Sequence, residues 1–126
     1  GSFLAVHEGP QRIAKPRHHN GSSEQELLPG MIISNEPGYY KTGEYGIRIE
    51  NLVLVEGRQI EGMEGDWLGF ETLTLAPIDR RLVDRQLLDH REIAWWNTYH
   101  ERVRDVVGPQ LDDRDHAWLM LACAPL

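Results

Sequence analysis

The spacing of apolar residues changes near residue 79, and this change limits the chain to folds in which strands precede helices. Before it, apolar and β-branched residues occur in short runs at 3–8, 31–35, 45–56 and 67–77. Pro and Gly bound these runs, and alternation within them predicts β-strands. The nine residues 37–45, PGYYKTGEY, are turn-rich and are expected to join their flanking runs as an antiparallel pair.

After residue 79 apolar residues recur at helical spacing. Asp89 is followed three residues later by Glu92, which is the spacing of a capping box, and the pattern continues to Gly108. A shorter helix is predicted at about 113–122, with Trp118 and Leu119 on its apolar side. The second part of the chain is therefore expected to be helical.

Composition excludes several classes of function. The 126 residues contain 13 Lys and Arg against 20 Asp and Glu, a formal charge of −7, which argues against nucleic acid as a partner. No apolar run is long enough for a membrane span, so no membrane association is predicted. The single cysteine, Cys123, cannot form an internal disulfide or a thiolate zinc cluster, and is expected to be a small buried apolar residue in a cytoplasmic protein.

Two carboxylates on apolar strands are the most informative residues for function. Glu36 and Glu50 would carry a large desolvation cost unless a positive group neutralises them. Arg48 lies two residues before Glu50, so strand alternation places both on one side and allows an ion pair. The alternative is that Glu36 and Glu50 are oxygen ligands of one or two hard divalent ions.

His7 follows the first apolar run, where a histidine can be structural or catalytic. The motifs of zincins, P-loop NTPases and serine hydrolases, H-E-x-x-H, G-x-x-x-x-G-K-[ST] and G-x-S-x-G, do not occur. Trp95 and Trp96 are adjacent on a helix and cannot both face one side, so at least one is expected to cover a neighbouring domain or subunit.

Four ordered segments resemble the catalytic domain of Xaa-Pro aminopeptidases. They are S-F-L-x-V-H-E-G-P-Q at 2–11, L-x-P-G-M-x-x-S-N-E-P-G-Y-Y at 27–40, G-I-R-I-E-N at 46–51 and F-E-T-L-T-L-A-P-I-D at 70–79. The segment E-I-A-W-W-N-x-Y-H at 92–100 is similar to the C-terminal extension of the three-domain type. This resemblance implies an α/β (α+β) fold, the C-terminal half of a pita-bread catalytic domain at 1–79 followed by a helical extension at 80–126.

The resemblance also implies a dinuclear metal centre, commonly of manganese, with zinc or cobalt as alternatives. In that family two Asp, one His and two Glu hold the metals. Glu36 would be the first Glu ligand and the proton acceptor, and Glu50 the Glu that bridges both metals. His7 would contact the substrate, Arg48 would orient the ligands and Tyr40 would line the site.

The segments that carry the other three ligands would precede residue 1 of this sequence. The resemblance therefore implies a C-terminal piece of the enzyme that binds metal weakly, if at all, and is inactive by itself. The intact enzyme would release the N-terminal residue from peptides with proline in second position, and would be a homodimer. A prolidase or creatinase-like hydrolase of the same fold is one alternative. The other is a non-catalytic homodimerisation module that uses Trp95, Trp96 and Trp118.

Overall fold

The computed structural model describes residues 9–13 and 25–126. The described residues belong to two compact units, which divide between Thr74 and Leu75. The predicted first strand at 3–8, with His7, lies outside the described residues. None of the helices in the described part of the chain is long and apolar enough to cross a membrane.

The first unit contains two antiparallel sheets. Its strands are β1 (Ile32–Asn35), β2 (Gly38–Lys41), β3 (Tyr45–Arg48), β4 (Asn51–Arg58) and β5 (Trp67–Thr72). One sheet has the order β1-β4-β5, and the other is the β2-β3 hairpin. Three predicted runs therefore form the expected small sheet.

The core of the three-stranded sheet follows the alternation of its strands. Ile33, Val53 and Val55 are buried, and Ile33 pairs directly with Val53 across β1 and β4. Residues two apart on one strand share a face, so Val53 and Val55 present their side chains to the same core. Leu27 and Met31 pack against this cluster.

The prediction of one continuous strand at 45–56 is wrong. The run divides at residues 49–50 into β3, which pairs with β2, and β4, which pairs with β1. The segment 37–45 was expected to be only a turn, but it contains β2, one of the two strands of a hairpin. Its actual turn contains Gly43, at φ +75°, a conformation that glycine adopts without the steric penalty of a Cβ atom. The Lys41 ammonium lies 2.8 Å from the Glu44 carboxylate across this turn.

In the second unit, residues 75–79 lead into short 3₁₀ turns at Arg80–Leu82 and Arg85–Leu87. The Asp79 carboxylate caps the first turn by accepting a hydrogen bond from the Arg81 backbone N–H at 3.0 Å. Hydrogen bonds from the Arg81 side chain and backbone to this carboxylate lower the pKa of Asp79 to about 2. These bonds favour the ionised carboxylate over its protonated form.

Two helices complete the second unit, α1 (His90–Val107) and α2 (Asp113–Ala122), joined through a 3₁₀ turn at Gly108–Gln110. The predicted capping box of α1 is confirmed. The Asp89 carboxylate accepts from the Glu92 N–H at 2.9 Å, and the Glu92 carboxylate accepts from the Asp89 N–H at 2.9 Å. Each side chain satisfies an N–H that the helix itself cannot pair.

The core of the second unit forms between α1 and α2. It consists of Tyr99, Val103, Leu119 and Cys123, so the prediction of a buried cysteine is confirmed. Trp118, predicted on the apolar side of α2, is instead 60% exposed. Its neighbour Leu119 is the residue that faces this core.

The adjacent tryptophans separate as expected of neighbours on a helix. Trp96 is 6% exposed, whereas Trp95 is 53% exposed. The Trp95 ring stacks on Tyr99 with ring centres 5.5 Å apart. That Trp95 covers a neighbouring domain or subunit stays a prediction.

Side chains of α1 bind residues 76–78, which precede the first 3₁₀ turn. The Tyr99 hydroxyl donates to the Ala76 carbonyl at 2.9 Å. The Ile78 N–H donates to His100 Nε2 at 3.0 Å, and His100 Nδ1 lies 3.1 Å from the Trp96 carbonyl. Since Nε2 accepts, Nδ1 must carry the proton and donate, which makes buried His100 a neutral imidazole.

Stability of the second unit is expected to fall in mild acid because of His100. Desolvation, with smaller contributions from Arg104 and Arg80, lowers the pKa of His100. The unfolded chain, with an ordinary pKa of about 6.5, takes up this proton first. The contribution of His100 is therefore complete above about pH 6.5 and declines below it, by at most about 1.4 kcal/mol per pH unit. Urea denaturation from pH 8 to 5 measures this decline.

The matched variants are His100→Gln, which removes the buried imidazole, and His90→Gln at an exposed histidine. We expect His100→Gln to flatten the pH dependence of the free energy of unfolding, whereas His90→Gln preserves it. Equal pH dependence in wild type and His100→Gln would contradict this explanation.

Candidate functional site

The sequence-predicted carboxylate Glu36 lies directly after β1 and is held at both oxygens. The Ser34 hydroxyl donates to Oε1 at 2.5 Å, and Arg48 Nη1 donates to Oε2 at 2.5 Å. The Glu36 side chain is 16% exposed. These contacts at both oxygens orient the Glu36 carboxylate.

Arg48 connects Glu36 to Tyr40. It lies at the end of β3, and its Nε donates to the Tyr40 hydroxyl at 2.8 Å. The guanidinium carbon is 5.8 Å from the centre of the Tyr40 ring, within the range of a cation–π contact. The hydrogen bond to Tyr40, with weaker attraction from Glu36 and Glu50, raises the pKa of Arg48. Arg48 is thus a permanent cation with two fixed partners.

The prediction that Arg48 forms an ion pair with Glu50 is wrong. Its ion pair is with Glu36, because β3 ends at Arg48 and the strand alternation that would place Glu50 beside it does not continue. Glu50 is exposed and acts on Arg48 through charge attraction. Both predicted carboxylates therefore influence the same guanidinium.

Ser34 was missed by the sequence analysis. Residues 34 and 36 are two apart at the end of a strand, and this spacing places both side chains on the same side. A serine two residues before a half-buried carboxylate is the signal that could have identified this hydrogen bond. Tyr40 contacts Arg48 through its hydroxyl, and its predicted place in the lining of the site remains a prediction.

The donor chemistry of Glu36 and Glu50 fits part of a site for a hard divalent cation. Carboxylate oxygens are the ligands that such ions prefer. Residues 9–13 and 25–126 contain no group of three or more His, Cys, Asp or Glu side chains that could hold a metal ion. A complete site would require ligands beyond these two. His7 lies outside the described residues, so its predicted role remains a prediction.

Comparison with known proteins agrees with the resemblance. Residues 1–57 match metallopeptidase family M24, and residues 66–126 match the C-terminal region of peptidase M24. The chain belongs to metallopeptidase family M24. The two matches follow one another along the chain in the order expected from its motifs.

Relatives with similar sequences are named as aminopeptidases P. This M24 chain is 45% identical over its full length to a probable Xaa-Pro aminopeptidase P of Coprinopsis cinerea, and covers 20% of that protein. It is 42% identical, again over its full length, to aminopeptidase P1 of Lotus japonicus, and covers 19% of it. The chain thus spans about a fifth of the length of the curated relatives it matches.

A solved structure gives the same result for the fold. The X-prolyl aminopeptidase of Caenorhabditis elegans, described as a cytosolic enzyme with a di-nuclear active site, is 38% identical to this M24 chain. The two superimpose with a TM-score of 0.79, over 98% of this chain and 20% of the C. elegans chain. The predicted pita-bread class, with antiparallel strands followed by helices, is confirmed.

Proposed function

We propose that this chain is the C-terminal part of a metal-dependent Xaa-Pro aminopeptidase, which releases the N-terminal residue from peptides with proline in second position. The observation that carries the proposal is the alignment of the whole chain with an Xaa-Pro aminopeptidase P at 45% identity. The orientation of Glu36 by Ser34 and Arg48 supports it, since a carboxylate held at both oxygens is suited to proton transfer.

In this proposal Glu36 and Glu50 would hold the metal ions as carboxylate ligands. The metals are manganese, with zinc or cobalt as alternatives, and the description of the C. elegans relative as di-nuclear supports a pair. When bound, two divalent ions provide a nucleophilic water at neutral pH and polarise the scissile carbonyl. The chain alone is expected to bind them weakly, because no three potential ligands are grouped among its described residues.

Side chains of this chain transfer the proton of the attacking water and hold the groups that accept it. Glu36 accepts the proton of the attacking water and delivers it to the proline nitrogen as the peptide bond breaks. Arg48 and Ser34 keep the carboxylate in one orientation during this transfer, and Arg48 is itself held by Tyr40. His7 donates a hydrogen bond to the substrate carbonyl and stabilises the tetrahedral intermediate.

We also propose a cytoplasmic location and a homodimer. The description of the C. elegans relative as cytosolic supports the location. Exposed Trp95 and Trp118 on the helical unit provide apolar area that a second copy could bury. The proposed division into a catalytic part at 1–79 and an extension at 80–126 places both tryptophans in the extension.

The experiment is a chimaera in which this chain replaces the matching fifth of the C. elegans enzyme. Mn²⁺-loaded chimaera is incubated with a tripeptide that has proline in second position, and released amino acid is quantified. We expect hydrolysis of this tripeptide and none of the matched tripeptide with alanine in second position.

Two further substrates separate the alternatives. Hydrolysis of an Xaa-Pro dipeptide without hydrolysis of the tripeptide would indicate a prolidase, and hydrolysis of creatine would indicate a creatinase-like enzyme. A folded, metal-loaded chimaera that is inactive on all substrates would contradict the proposed function and favour a homodimerisation module.

A further inference from the structure

We propose that Gly38 and Gly46 are positioning residues for Glu36, because their missing side chains leave the space that the Tyr40 ring occupies. The role of these two glycines in catalysis rests on the proposed function, whereas the packing of the Tyr40 ring over them does not depend on it. Neither glycine stands out in the sequence as a functional residue. They lie on the β2-β3 hairpin, on opposite strands.

The register of the hairpin places the two glycines beside Tyr40. Tyr40 pairs directly with Gly46, and Gly38 pairs directly with Arg48. Directly paired residues of an antiparallel ladder share a face, and so do residues two apart on one strand. One face of the hairpin therefore carries only two side chains, Tyr40 and Arg48, with glycines at the other two positions.

The Tyr40 ring fills the space that side chains at these glycines would need. A Cβ atom at Gly46 would lie 2.6 Å from Tyr40 Cδ1 and 3.0 Å from Cε1. A Cβ atom at Gly38 would lie 2.9 Å from both Cε2 and the hydroxyl oxygen. These distances are far below the ~3.5–4.0 Å separation of packed carbon atoms. The ring must move if either glycine gains a side chain.

Space, and not backbone conformation, makes glycine necessary at these positions. The positive φ angles among the described glycines occur at Gly30, Gly43, Gly62 and Gly65. Gly38 and Gly46 have ordinary strand conformations that any residue could adopt. The requirement is therefore specific to the ring that lies over them.

Movement of the ring would reach Glu36 through Arg48. The Tyr40 hydroxyl accepts from Arg48 Nε at 2.8 Å, and the same guanidinium donates from Nη1 to Glu36. A planar guanidinium with one fixed edge has less freedom to rotate away from its carboxylate. A displaced Tyr40 would release the Nε edge, and Arg48 would then hold the Glu36 carboxylate less firmly.

The test uses NMR on the 126-residue chain and measures exchange of the Arg48 Nε–H proton with solvent. We expect Gly46→Ala to speed this exchange by about tenfold, which corresponds to a lost hydrogen bond of about 1.4 kcal/mol. Tyr40→Phe, which keeps the ring and removes the hydroxyl, should do the same. The control is Gly57→Ala on β4, where nothing lies within 4 Å of the added carbon, and its exchange should match wild type.

A second pair of variants covers the outcome in which Gly46→Ala disrupts the hairpin. Tyr40→Ala removes the ring, so adding Gly46→Ala to it should cause no further change in the hairpin amide shifts or in thermal midpoint. Disruption of equal size with and without the Tyr40 ring would overturn the proposal, and so would wild-type Arg48 exchange in Gly46→Ala. Because these readouts need no substrate, an inactive chimaera would contradict the proposed function without affecting this result.

Discussion

Glu36→Gln in the metal-loaded chimaera is expected to lower kcat by about 10²–10⁴-fold, the usual contribution of a general acid or base. Glutamine keeps the shape of the side chain and one carbonyl oxygen, but it cannot accept the proton of the attacking water. It also loses the ion pair with Arg48. Steady-state kinetics on the tripeptide with proline in second position, together with metal analysis, measure the effect.

The matched control is Glu44→Gln in the turn of the same hairpin. Glu44 pairs with Lys41 and its side chain is 53% exposed. This variant should retain wild-type kcat, since an exposed ion pair contributes little. If Glu36→Gln retains wild-type kcat with both metals bound, Glu36 is not the proton acceptor. A loss of metal that fully accounts for the loss of kcat would assign Glu36 the role of ligand alone.

Leu119→Ala is expected to destabilise the chain by about 2–5 kcal/mol, the range for truncating a buried leucine. Leu119 is 2% exposed and packs with Tyr99, Val103 and Cys123. The truncation removes apolar contacts on all sides, and the rigid helices can close only part of the cavity. Urea denaturation followed by circular dichroism gives the change in free energy of unfolding.

Leu121→Ala on the same helix provides the control, because Leu121 is 75% exposed. Its effect should stay within about 0.5 kcal/mol, as for most surface substitutions. Equal losses in the two variants would mean that α2 does not pack through Leu119.

The helical unit was predictable because its signals are local. The Asp89 and Glu92 capping box needs residues only three apart, and it formed as predicted. The helical period separates Trp95 from Trp96, and one of the two is buried. The pattern could not decide which residue of the Trp118 and Leu119 pair faces the core. That choice depends on where α1 and the segment before it pack.

The sheet unit shows where local pattern becomes insufficient. Apolar alternation located β1, β4 and β5, since a half-buried strand needs one apolar face. The division of 45–56 into two strands did not follow from the pattern, because both halves alternate in the same way. Pairing partners distant in the chain select which sheet each half joins.

The sequence by itself determined that strands precede helices, where α1 begins and ends, and which carboxylates are candidate functional residues. Motif order and residue type carry that information, because they are properties of neighbours in the chain. Only the tertiary structure decided that Arg48 pairs with Glu36 instead of Glu50, and that Tyr40 lies over Gly46. These contacts join residues on different strands, and strand register sets their distances. An ion pair or a steric contact follows from those distances and not from sequence separation.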